Sequence, residues 1–198
     1  MSNTKINIAK NGTTTLATAG KYCDRNIDIN VDVGVNSKEV GLLMDGYLQN
    51  FHNEHATSVK MFFFYKNYSL KSVNLPKVKI VYDEGFNSCT SLVDVYMPKL
   101  HTLKIGSFKH CWKLEKIELP SATSIASEVF YGSKVLKTFV VGTTNCTLVS
   151  KNAFLNTPIG NGEGYIYVPD DAVEAYKTAT NWCAYADQIK GISELPQG

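Results

Sequence analysis

The sequence predicts a mainly β fold with short helices, wound as a solenoid of about four to five coils of 22 residues. Three recurrences predict it. Leucine returns at Leu70, Leu92, Leu114 and Leu136, and proline at Pro76, Pro98 and Pro120. Phenylalanine returns at Phe86, Phe108 and Phe130, with Phe154 two residues late.

One coil, LEKIELPSATSIASEVFYGSKV from Leu114 to Val135, shows how the spacing arises. The pattern Leu114, Ile117, Leu119 runs into a strand, whose alternating side chains send Ile117 and Leu119 to one face and Lys116 and Glu118 to the other. Pro120 lacks an amide hydrogen and ends the ladder, so the chain turns away. On the return, Ile125 and Phe130 point back inward. A single coil cannot bury its own apolar face, so the fold requires neighbours above and below, roughly three or more in all. Cys89, Cys111 and Ser133 fall at one place in successive coils, which makes the two thiols small packing residues.

A blurred earlier coil matches Leu48 to Leu70, Phe51 to Val73, Val59 to Val81 and Phe64 to Phe86, each 22 apart. The run Met61 to Tyr65 reads as core and cap, with an exposed aromatic edge as the alternative. Ahead of it, "EVGLLMDG" reads as a short covering helix between a Ser37 cap and Gly46. Residues 1–35 are different in kind. They alternate at Ile6 and Ile8 and again at Ile27, Ile29, Val31 and Val33, with Asn11-Gly12 as a tight-turn signal, and so read as a small separate β module.

At the other end, residues 165–198 read as a cap on a solenoid spanning 36–164. "YIYVP" from Tyr165 to Pro169 is its final strand, and Asp170 or Asp171 caps a helix through Val173, Ala175 and Tyr176, with Glu174 completing a capping box. Trp182, Tyr185 and Ile189 fold back over the last coil as a lid.

These residues resemble a known family. The consensus L-x-x-I-x-L-P, with an aliphatic residue six places on and then Phe and Cys, is similar to the BspA-like class of bacterial leucine-rich repeats, from Leu48 to Leu195. "GYIYVPDDAVEAYKTATNWCAYADQIKGISEL" resembles the strand-helix terminus common after such repeats. The N-terminal "AKNGTTTLATAGKYCDRNIDINVDV" resembles a segment recurring at the start of tail-associated proteins of phages and prophages. Together the resemblances imply a phage or prophage protein, synthesised in the host cytoplasm and incorporated in the virion.

Composition excludes several alternatives. The formal charge of +2 is spread over 20 basic and 18 acidic side chains with no run of one sign, so neither nucleic acid nor an anionic membrane is an expected partner. "MSNTKINIAKNGTTT" has no apolar segment behind a basic start, and no signal peptide is expected. Five cysteines without a Cys-x-x-Cys pair suggest neither a disulfide framework nor a zinc site.

Catalytic signals are equally thin. "HNEH" sets His52 and His55 around Glu54 but meets neither H-E-x-x-H nor H-x-x-E-H, so no metal is expected. Gly160, Gly162 and Gly164 precede a strand and serve a turn, not a phosphate loop. No nucleophile elbow or Walker sequence occurs, and neither catalysis nor a cofactor is expected. The sequons at Asn67 and Asn145 read as accidental.

Function is therefore expected on the outward strand positions Ser72, Asn74, Asp94, Tyr96, Lys116, Glu118, Thr138 and Val140, with Tyr96 as anchor. Their mixed charge suits a protein or a glycan. The leading expectation is a non-enzymatic virion protein of the tail, baseplate or fibre that binds a host-surface or tail protein. The alternatives are an intracellular inhibitor of a host defence protein, of anti-CRISPR type, and a bacterial adhesin. A homo-oligomer is left open, since nothing in the sequence encodes a symmetry.

Overall fold

The computed structural model describes residues 4–8, 27–31, 48–54 and 56–196. The strands of the first half are β1 (Thr4–Ile8), β2 (Ile27–Val31), β3 (Leu48–His52), β4 (Ser58–Val59), β5 (Ser72–Asn74), β6 (Ile80–Val81) and β7 (Asp94–Tyr96). They continue as β8 (Thr102–Leu103), β9 (Lys116–Leu119), β10 (Ser124–Ile125), β11 (Thr138–Val141), β12 (Thr147–Leu148), β13 (Tyr165–Val168) and β14 (Ile189–Gly191). The helix expected between Ser37 and Gly46, the turn at Asn11-Gly12, Cys23, His55 and the boundary at residue 35 lie outside the described residues.

The leucine period becomes a register. Parallel pairing sets Phe51 beside Val73, Val73 beside Val95 and Ile117 beside Phe139 on the outward side. On the return side it sets Val59 beside Val81, Val81 beside Leu103 and Leu103 beside Ile125. Each step is 22 residues. It lengthens at the C-terminal end, where Leu148 lies beside Ile125 and Ile166 beside Phe139.

Between the two strand faces the repeated side chains form continuous columns. Leu70, Leu92, Leu114 and Leu136 are fully buried. The rings of Phe64, Phe86, Phe108, Phe130 and Phe154 stack in sequence, their centroids 4.9, 4.9, 5.9 and 5.3 Å apart. Burying a side chain of this class contributes about 1.5 to 3 kcal/mol, so the columns rather than any one coil hold the fold.

The coils also bond to each other through the turn that carries the phenylalanine. Glu84, Phe86 and Ser88 donate their N–H groups to Ile105, Ser107 and Lys109 of the next coil at 2.8 to 2.9 Å. Such alternation needs two residues per coil in the left-handed region. Glu84, Gly106 and Glu128 occupy one of these places, and Ser88, His110 and Gly132 the other.

The cysteine column behaves as its spacing predicts. Cys89 Sγ donates to Phe64 O at 3.1 Å, Cys111 Sγ to Phe86 O at 3.3 Å, and Ser133 Oγ to Phe108 O at 3.0 Å. Burial pushes the Cys89 and Cys111 thiols well above their usual range and Cys146 up to about 12. The thiolate is the reactive form, so alkylation of the native protein followed by mass spectrometry should label exposed Cys183 well before Cys89 and Cys111. Equal labelling rates for the three would refute this packing. Asn67 precedes Cys89 in the same column and is fully buried, so its sequon is not an accessible acceptor.

The ends depart from expectation in three ways. First, β1 and β2 pair parallel with each other and with β3 in one sheet, with Thr4 beside Ile27 and Ile29 beside Phe51. A tight turn joins antiparallel neighbours, whereas these strands run parallel and continue the stacking direction of β3.

Second, β13 is not the final strand, because β14 pairs beside it, with Ile166 opposite Ile189. Third, neither Asp170 nor Asp171 caps the helix α1 (Val173–Thr178). A short 3-10 turn over Asp170–Ala172 places Pro169 and Ala172 at the cap positions, with no side-chain cap bond. Asp170 Oδ1 instead accepts from Ser193 N at 3.1 Å and Ser193 Oγ at 2.8 Å, which ties the last residues to the cap. The aromatic lid is present: Trp182, Tyr185 and Ile189 are buried, and Tyr185 packs edge-on against Phe154 at 5.4 Å.

Candidate partner-binding face

Because strand side chains alternate, the first and third strand residues of each coil lie on the side away from the core columns. One outward row runs Asn50, Ser72, Asp94 and, past β7, Lys116, Thr138 and Tyr165. The other runs His52, Asn74, Tyr96 and then Glu118, Val140, Tyr167 and Lys190. The eight expected positions thus share one surface.

Their accessibility differs. Asn74, Asp94, Lys116 and Glu118 are exposed, and Tyr96 is 56% exposed. Ser72 is half-buried, its hydroxyl donating to Asn50 Oδ1 at 2.6 Å, and Thr138 is half-buried as well. Val140 is a correction. At 8% exposure it lies between Glu118 and the buried Tyr167, so the outward row closes over it and it offers no contact area. Lys116 Nζ lies 2.6 Å from Glu118 Oε1, a surface pair of the kind worth roughly 0 to 1 kcal/mol.

The face is not continuous. The outward strands form two sheets, β1-β2-β3-β5-β7 and β9-β11-β13-β14, with no pairing between β7 and β9. At this break lies a cleft of about 590 Å³, lined by Asp94, Tyr96, Lys116, Glu118 and Thr138 together with Val93 and Glu115. Five expected residues therefore meet at one feature, while Ser72 and Asn74 lie beyond its edge.

Sequence reasoning did not find Val93, Glu115 or the break. It also missed that the face extends to Tyr165, over whose ring Lys190 Nζ sits at 3.9 Å, because the step from Thr138 to Tyr165 is 27 residues. The Met61 to Tyr65 run divides: Phe64 is core, whereas Met61 and Phe62 are 53% and 45% exposed. His52 pairs with Glu54 at 2.7 Å. Among the described residues no group of three or more His, Cys, Asp or Glu could hold a metal ion.

The comparisons agree with this geometry. The sequence profile of the BspA type leucine-rich repeat region matches residues 52–179 in six copies. The chain belongs to the BspA-type leucine-rich repeat family. Leucine-rich repeats of this BspA type generally mediate protein interactions.

Two solved structures share its fold. One is a leucine-rich repeat protein from Bacteroides ovatus, 15% identical with a TM-score of 0.58, over 95% of this chain and 42% of that one. The other is a leucine rich cell surface protein from Faecalibacterium prausnitzii, 22% identical with a TM-score of 0.55, over 98% of this chain and 49% of that one. The BspA-type chain thus spans less than half the length of either. No curated protein matches it.

Proposed function

We propose that this chain is a non-enzymatic binding protein that holds a protein partner on the outward strand face between Ser72 and Thr138, as a component of a phage or prophage tail, baseplate or fibre. Tyr96 carries the first part of the reading. It is a large amphipathic side chain standing out from a strand that β5 holds in register, at the rim of a cleft. The likeness of the N-terminal segment to tail-associated proteins supports the second part, with residues 1–35 attaching the chain to the particle. A cell-surface protein among the structures sharing the fold favours a second reading, an adhesin that uses the same face.

Tyr96→Ala should leave the melting temperature unchanged and weaken partner binding by about 2 kcal/mol, as expected of an interface anchor. Full-strength binding by the variant would place the contact on another surface. Mass spectrometry of purified virions tests the setting. Recovery of the chain in particles supports the tail reading. Its absence there, with stoichiometric capture of a host defence protein from lysate, would replace that reading with the inhibitor.

A further inference from the structure

The break between β7 and β9 is a wedge hinged on the return side. There β8 and β10 remain paired, with Thr102 beside Ser124, and Phe108 N still donates to Val129 O at 2.9 Å. On the outward side the rungs spread. The Phe108 to Phe130 step is the longest in the stack at 5.9 Å, and Val95 is only half-buried although Val73 and Ile117, its counterparts in the neighbouring coils, are buried.

The neighbouring step shows which backbone groups the wedge frees. Across β5 and β7, Asp94 N donates to Lys71 O at 3.1 Å and Leu75 N to Tyr96 O at 2.9 Å. Among the described residues the corresponding bonds, Lys116 N to Val93 O and Met97 N to Glu118 O, are not formed. The walls of the cleft therefore present open strand groups of both kinds, the Val93 and Glu118 carbonyls and the Lys116 and Met97 N–H groups.

Charge selects the occupant. The lining holds three carboxylates, Asp94, Glu115 and Glu118, against the single cation Lys116, which is already engaged by Glu118. Among the described residues neither Asp94 nor Glu115 has an ion-pair partner. The freed N–H groups suit the main-chain carbonyls of an inserted extended segment, and the free carboxylates and open carbonyls are acceptors left for a side chain. A planar group with several N–H donors satisfies them together, and an aromatic ring on the rim suits the same group.

The geometry points to a cleft that receives an arginine from a short extended segment of the protein partner, its guanidinium bonding Asp94, Glu115 and the open carbonyls beside Val95 while Tyr96 covers it. This rests on the strand-face reading above. It narrows the partner to a protein with an exposed arginine on an extended segment.

The test titrates the full-length protein with a blocked TVRVT pentapeptide, its TVEVT counterpart and maltotriose, following backbone amide shifts by NMR. Millimolar TVRVT should shift the amides of Val95, Met97 and Lys116, TVEVT should not, and the double variant Asp94→Asn, Glu115→Gln should bind about tenfold more weakly. Equal binding of TVRVT and TVEVT, no shifts at the cleft, or shifts there with maltotriose alone would each overturn the inference, the last by making the partner a glycan. With the native partner, binding lost in Tyr96→Ala but retained in the double variant would uphold the strand face and sink the arginine.

Discussion

Phe108→Ala is expected to lower folding stability by about 3 to 5 kcal/mol. The ring is fully buried and stacked between Phe86 at 4.9 Å and Phe130 at 5.9 Å, nearly parallel to both. The cost of such a truncation depends on whether the surroundings collapse into the hole. Here they are held apart, because Phe86 N donates to Ser107 O at 2.8 Å and Phe108 N to Val129 O at 2.9 Å, so backbone ladders fix the rungs on both sides. Since each coil contacts only its neighbours, hydrogen exchange should show the loss concentrated in the adjoining coils. A variant with the denaturation midpoint of the parent would mean that the stacked rings do not hold the coils together.

Trp182→Ala should be comparably damaging, about 3 to 5 kcal/mol, for a different reason. Trp182 closes the C-terminal end of the stack. It is almost fully buried, its Nε1 donates to Cys146 O at 2.7 Å, and it packs 5.2 Å from Tyr176 and 6.4 Å from Phe154. Its removal uncovers the last phenylalanine of the column and leaves a buried carbonyl without its donor. Solenoid ends must be covered, so the variant should bind a hydrophobic dye and aggregate on heating. Trp182→Phe keeps most of the covering area but not the N–H, and should cost only about 1 to 3 kcal/mol for the carbonyl left unpaired. If circular dichroism melts show the two variants equally stable, the hydrogen bond and the cover have been wrongly separated.

The core was legible because its signal is local and repeated. Leu114, Ile117 and Leu119 announce a strand by themselves, and the same spacing at Leu92 and Leu136 places that strand's neighbours. The turn was less legible. It needs left-handed backbone at two places per coil, but Glu84, Glu128, Ser88 and His110 fill most of them, and only Gly106 and Gly132 are the residue type that signals that geometry. The caps were read through general helix-start rules. Those rules could not foresee that β14 would bring Ser193 to Asp170 and divert the carboxylate from the helix.

The sequence by itself determined the coil, its 22-residue step, its inward columns and the outward positions, since each follows from which side chains alternate along one strand and recur in the next. Only the tertiary structure decided that Val140 is covered, that a fourth strand follows Tyr165–Val168 in the second sheet, and that β7 and β9 part to make a cleft. Those outcomes depend on how much each coil tilts against its neighbour, a sum of contacts over many residues that no short stretch of chain encodes.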